Sequence, residues 1–217
     1  MAHRKKSSKP AARGPGRPKG ATRDATRARI LEAARACFAQ TGYGATTNRE
    51  IADKAGLTPA ALYQYFDSKR ALFMATVRDA ESVLTPRYRA AIADAPSLRA
   101  ALRAVVAASV AINEEDHSIT AFLSALPVEM GRHPEIAAAV AGEPNDVVDV
   151  FLEAVERGAR AGEIAPGIAP EFVLSMFIAC SMGLSLYAAT IAPAQLGDTA
   201  KVFEALLEGK LFASKRG

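Results

Sequence analysis

Thr47, Asn48 and Arg49 stand in a row, and further along Tyr63, Gln64 and Tyr65 stand together just before Lys69. These side chains end in hydroxyls, amides and cations, with no nucleophile and base among them. The forked donors of an arginine match guanine O6 and N7, and such a pair discriminates by about 1–3 kcal/mol. Hydroxyls, amides and ammonium groups suit phosphate oxygens. The chemistry implied is recognition of a polyanion, not bond making. The sequence contains no nucleophile elbow, phosphate loop or metal motif. Its cysteines, Cys37 and Cys180, lie far apart, and its histidines are His3, His117 and His133. Neither a disulfide framework nor a zinc site is expected, and we expect no cofactor, no metal and no enzymatic activity.

Charge divides the chain. Residues 1–78 carry 16 Lys+Arg and 5 Asp+Glu, a net of +11, and the remainder carries 11 and 18, a net of −7, so the overall +4 conceals two opposite parts. A basic segment joined to an acidic, apolar one suits a polyanion partner for the first part and another task for the second. Half of the 217 residues are hydrophobic, enough for a sizeable core. The basic start has no apolar run behind it of the kind a secretory signal needs, so a cytoplasmic location is expected. The span Phe172–Gly197 has no charged residue. It is long enough to cross a bilayer, but its Ser and Gly content and the lack of a close basic flank favour a helix buried in a bundle or subunit contact.

The elements that must hold these side chains are helices, because apolar residues recur at helical spacing and nothing alternates like a sheet. Ile30, Ala34 and Phe38 mark one face of a first helix, which Gly42 stops. Thr47 and Glu50 have the spacing of a capping box, and Gly56 ends the short helix that follows. Thr58 suits an N-cap and Pro59 the first helical position, where its missing N–H costs nothing. Asp67 or Ser68 caps a longer helix. Two short helices joined by a tight turn behind a supporting helix make a helix-turn-helix. Ile51, Ala55, Leu57, Leu62 and Phe66 are its expected core.

The stretch TTNREIADKAGLTPAALYQYFDSKRALF resembles the DNA-binding signature of TetR-type (tetracycline-repressor-like) regulators, over Ala25–Val77 without a gap. The resemblance implies an all-helical homodimer that binds double-stranded operator DNA, with a C-terminal domain for a small-molecule effector. It places Thr47, Asn48 and Arg49 at the start of the first short helix near DNA, with Arg49 the leading base reader. Thr58, Pro59, Ala60, Tyr63, Gln64 and Tyr65 would line the recognition helix, and Lys69 would hold a phosphate. Tyr63 suits a phosphate better than a base. Ala61 stands where many relatives carry a polar residue, which leaves more of the readout to Arg49, Gln64 and DNA shape.

Upstream, RGPGRPKG carries Gly16-Arg17-Pro18 and resembles an AT-hook, in which an extended arginine enters a narrow A·T-rich minor groove. The expected organisation is a basic flexible arm over 1–23 with Arg17 in the groove, a helix-turn-helix domain over 24–78, and a helical ligand-binding and dimerisation domain over 79–217. The fold class is all-α.

In the last part prolines punctuate Ala- and Leu-rich helices, among them Pro86, Pro96, Pro127 and Pro134. Phe122, Leu126, Met130, Phe151 and Phe177 are candidates to line a ligand cavity. The final two helices, roughly 170–192 and 197–212, are expected to pair with their mates as a four-helix bundle. Met176, Cys180, Ser181, Leu184 and Ser185 on one, and Val202, Phe203, Leu206 and Leu207 on the other, are its expected interface. Glu129 and His133 have i,i+4 spacing and are read as an ordinary ion pair or as solvated, and Asn113–His117, NEEDH, as a solvated loop. The function expected is a ligand-responsive homodimeric regulator, a repressor. The alternatives are an effector-independent nucleoid-type A·T binder and a helical-bundle carrier or enzyme.

Overall fold

The computed structural model describes residues 19–191 and 195–212, and every regular element among them is a helix. In chain order these are α1 (Lys19–Ala45), α2 (Asn48–Lys54), α3 (Pro59–Tyr63), α4 (Lys69–Ala93) and α5 (Leu98–Glu115). They are followed by α6 (His117–Arg132), α7 (Pro134–Ala141), α8 (Asp146–Arg160), α9 (Pro170–Thr190) and α10 (Leu196–Leu207). Arg17 and most of the proline-glycine arm lie outside the described residues. Lys19–Arg23, expected as the end of that arm, instead form the opening of α1.

Local chemistry explains the N-terminal half. Thr47 and Glu50 form a complete capping box, Thr58 caps α3 ahead of Pro59, and Ser68 caps α4. Each side chain satisfies an amide that the first helical turn leaves without a partner. At Gly42 the backbone turns to φ 78°, which breaks α1 before its last turn. That left-handed backbone favours glycine, and a Cβ there would also push the Glu129 carboxylate, whose Oε1 stands 2.7 Å away.

The halves share one framework. The expected boundary at residue 78 falls inside α4, which runs unbroken from the helix-turn-helix into the second half. Ile30, Ala34, Phe38, Ile51, Leu62, Leu72 and Phe73 bury the first core. Phe73 of α4 packs edge-on against Phe38 of α1 at 4.9 Å and against Phe122 of α6 at 5.2 Å. Such pairs contribute about 0.5–1.5 kcal/mol beyond their burial. Two prolines do not punctuate as expected: Pro86 and Pro127 sit inside α4 and α6. The NEEDH stretch is no loop either. Asn113–Glu115 complete α5, Asp116 caps α6, and His117 begins it.

Asp116 has a second partner that explains its order. The buried Arg35 of α1 reaches Asp116, donates to Asp79 of α4 at 3.1 Å, and donates through Nε to Ser118 Oγ at 2.9 Å. One guanidinium thereby ties three helices together. Elsewhere α8 lies close on α5 at Gly158, where a Cβ would meet Leu98 Cβ at 2.7 Å. Gly158→Ala adds helix propensity of about 1 kcal/mol but forces overpacking of roughly 1–3 kcal/mol. A net loss of stability in urea unfolding is expected; a gain would show that α5 and α8 can separate freely.

Candidate nucleic-acid interface and interhelical cavity

The capped ends of α2 and α3 present Thr47, Arg49, Thr58, Pro59, Ala60, Tyr63 and Gln64 to solvent. Arg49 is the most open, its side chain 83% exposed and held only by an i,i+4 contact with Asp53 at 3.9 Å. Exposed ion pairs of this kind contribute little, so the guanidinium is free to exchange Asp53 for another acceptor. Asn48 is half-buried. Its Nδ2 donates to Tyr63 Oη at 3.0 Å, which joins α2 to α3, while its Oδ1 is buried without a hydrogen-bond partner. Asn48 therefore positions Tyr63 as well as facing outward.

Two expected contacts have other occupations. Tyr65 is half-buried against the core, with the Arg23 guanidinium 5.7 Å above its ring. Lys69, expected at a phosphate, instead turns back: its Nζ donates to the carbonyls of Tyr43 at 2.7 Å, Gly44 at 3.2 Å and Thr46 at 3.0 Å. All three ammonium protons are thereby used on the broken end of α1, with the Tyr43 ring 4.6 Å away. Position-by-position reading missed Arg23 and Arg27. Both are exposed, and they lie over Tyr65 and Phe66 at 5.7 and 5.6 Å, beside the α3 face. Their i,i+4 spacing on α1 was the available signal.

The same joint meets α6 from the other side. Glu129 is buried, accepts from the Tyr43 N–H at 3.0 Å, and lies 3.5 Å from His133 Nε2. The Glu129–His133 contact is thus part of a joint that seats α6 on the end of α1.

A cavity of about 320 Å³ lies between α4, α5, α6, α8 and α9. Of the candidates for a ligand cavity, Leu126, Met130 and Phe151 line it. Phe122 and Phe177 do not: Phe122 belongs to the aromatic core with Phe73, and Phe177 is buried between Phe151 at 5.5 Å and Phe203 at 6.3 Å. Ser181 and Ser185, expected at a subunit contact, line the cavity. Glu81, which sequence reading passed over, lines it too. Burial, aided by the nearby charges of Asp146 and Glu143 and opposed by Arg78, pushes its carboxyl up to about 7.

On the outer side, α9 and α10 expose Phe172, Met176, Tyr187, Val202 and Leu206, with Phe172 70% open. Residues 170–188 are long and apolar enough to cross a membrane by composition, yet only 11% of that window is buried within the subunit. Met176, Val202 and Leu206, expected at a subunit contact, stand on the open face. Cys180, Leu184 and Leu207 are half-buried, and Phe203 packs inward on Phe177. Phe172 and Tyr187 complete the apolar stripe that sequence reading left incomplete.

Known proteins are similar to this chain in sequence and in fold. The family described as bacterial regulatory proteins, tetR family, matches residues 30–76. The transcriptional activator FasR of Mycolicibacterium smegmatis is 30% identical over 168 residues, 72% of this chain and 76% of that protein. The transcriptional repressor KstR2 of Rhodococcus jostii is 37% identical over 95 residues, 44% of this chain, and the match spans about half of KstR2, 47%. The crystal structure of FadR from Bacillus subtilis, solved with stearoyl-CoA, shares the fold at a TM-score of 0.68 and 17% identity, covering 85% of this chain and 99% of that one. With its capped α2–α3 unit, its all-helical frame and a regulator 30% identical over about three quarters of its own length, the chain belongs to the TetR family of DNA-binding transcriptional regulators.

Proposed function

We propose that the protein is a homodimeric repressor that binds a pseudo-palindromic operator and releases it when a small molecule fills the cavity between its helices. It works in the cytoplasm, on the chromosome, and by binding rather than catalysis. The observation that carries the reading is the open face of α2 and α3. There Arg49 has only a weak intramolecular partner and Tyr63 is oriented by Asn48. In this reading Arg49 and Gln64 read base edges, and Thr47, Thr58 and Tyr63 hold phosphates. Arg23 and Arg27 add positive charge beside them, and Lys69 supports the frame.

The apolar stripe on α9 and α10 supports the dimer, since an exposed face of this kind marks a contact surface. Two copies joined there would present two α3 helices, and a palindromic site needs them about 34–36 Å apart. The cavity supports the sensor. Its wall includes Leu123, Ser124, Pro127 and Met130 of α6, the helix whose Glu129 holds the end of α1. A ligand shifts operator affinity only by the difference in its own affinity for the two states.

Fluorescence anisotropy on the DNA upstream of its own gene, with a scrambled duplex as control, tests the operator claim. Arg49→Ala is expected to weaken operator binding by about 1–3 kcal/mol while leaving binding to scrambled DNA nearly unchanged. Equal affinity of the parent protein for both duplexes would overturn the operator claim. A monomeric mass in sedimentation would overturn the dimer.

A further inference from the structure

The cavity has a chemical bias that its size does not convey. Its walls are apolar, with Leu84, Leu123, Val148 and Phe151 prominent, and no lysine, arginine or histidine is among the described residues that line it. One carboxylic acid, Glu81 of α4, is on the wall. The charged groups that act on Glu81 are Asp146 at the start of α8, Glu143 just before α8, and Arg78 one turn earlier on α4. Arg78 is already engaged: its Nη1 donates to Glu143 Oε1 at 3.0 Å. Glu81 is therefore the one charged side chain among the described wall residues, and Asp146, exposed beside it, adds negative charge from outside the wall. From α9 the hydroxyl of Ser181 lines the same cavity, buried and without a hydrogen-bond partner. A buried hydroxyl with no partner costs free energy unless a ligand supplies one.

Resting on the sensor reading above, we propose that this cavity selects an apolar molecule with a cationic, hydrogen-bond-donating head, a protonated organic amine, and rejects the carboxylate head of a fatty acid. The ammonium donates to Glu81 while the hydrocarbon body fills the space between α4, α6 and α8. Ser181 accepts a further hydrogen bond from the head. A carboxylate in the same place meets Glu81 with no cation on the described wall to pair with, and burying an unpaired charge is strongly unfavourable. FadR of Bacillus subtilis shows that the fold also houses a stearoyl-CoA, so the discrimination lies in this chain's own wall residues and not in its fold.

The test uses the full chain, titrated by calorimetry with decylamine, decanol and decanoate below their aggregation concentrations. At pH 8 decylamine is expected to bind at least about tenfold more tightly than decanoate, the factor that roughly one unit of differential protonation energy supplies. With Glu81 titrating near 7, the ionised fraction rises about tenfold between pH 6 and pH 8, while an alkylammonium stays protonated. Amine affinity should rise by that factor. Glu81→Gln should erase both the amine preference and the pH slope and leave decanol binding unchanged. This variant is expected to fold well. A carboxyl with a raised pKa costs stability as pH climbs from the ordinary carboxylate range to about 7, and glutamine removes that cost.

Decanoate binding as tightly as decylamine, an unchanged preference in Glu81→Gln, or no binding by any of the three would each overturn the proposal. Operator anisotropy in the same samples separates the two readings. If decanoate releases the operator, the sensor stands and the charge rule falls. If decylamine binds without altering operator affinity, the ligand class stands and the sensor falls.

Discussion

Arg35→Ala is expected to lower the unfolding free energy by about 2–4 kcal/mol. Removing one member of a buried ion pair costs about 3–5 kcal/mol because the other charge is left unpaired. Here the guanidinium is 8% exposed but Asp79 and Asp116 are 33% and 35% exposed, so water recovers part of the loss. The fork serves α1, α4 and the start of α6 at once, and alanine releases all three. Lysine replaces a planar fork with a point charge and should recover only part of the stability. Burial pushes the Asp116 carboxyl up, but hydrogen bonds from Ser118 and the charge of Arg35 outweigh it and hold it below the usual range. A carboxyl with a depressed pKa contributes stability that is present above its unfolded value and lost as pH falls through the folded one. The parent protein should therefore lose stability on acidification below about pH 4, where free Asp titrates, and Arg35→Ala should lose less of it there. Urea unfolding at pH 7 and at pH 3 measures both effects. A loss under about 1 kcal/mol at pH 7, the size of an exposed pair, would show that the three helices do not depend on this joint.

Arg35 also marks where sequence reading stops. The caps at Thr47, Thr58 and Ser68 were legible because each acts on an amide a few residues ahead. The apolar rows of α1, α2 and α4 were legible for the same reason, since helical spacing is local. NEEDH was read as a solvated loop because five polar residues in a row say nothing about a cation in α1 that folds back onto Asp116. Phe122 and Phe177 have the composition of cavity walls, and only packing reveals that each is enclosed by other aromatic rings. Glu81 was overlooked because an acidic residue on a helix is ordinarily solvated, and burial is a property of the other helices. On α9, which carries no charge beyond its first turn, no contrast of polarity tells the cavity face with Ser181 and Ser185 from the open face with Phe172 and Tyr187. The family signature located the DNA-facing unit. It could not distinguish a lysine that points outward from one that turns back.

Lys69→Met makes that distinction measurable. If Lys69 served a phosphate, methionine would leave folding unchanged, weaken all DNA alike and lower the slope of log affinity against log salt by about 1. The structure directs the ammonium to three carbonyls at the end of α1, of which Tyr43 at 2.7 Å is the nearest. A hydrogen bond with one charged partner contributes about 1.5–3 kcal/mol. Lys69 is half-buried, so some water reaches the freed carbonyls, and a stability loss of about 2–3 kcal/mol is expected from the set. Methionine keeps the length and the apolar stem, which isolates the charge. The joint it loosens also holds the Tyr43 N–H on Glu129 of α6, and α2 follows directly after it. Operator binding should weaken while the salt slope stays as in the parent protein, because no ion contact with DNA has been removed. Denaturant unfolding and anisotropy at several salt concentrations read the two quantities independently. A shallower salt slope with unchanged stability would return Lys69 to the phosphates. An unchanged slope with lost stability makes it the brace on which the DNA-facing helices stand.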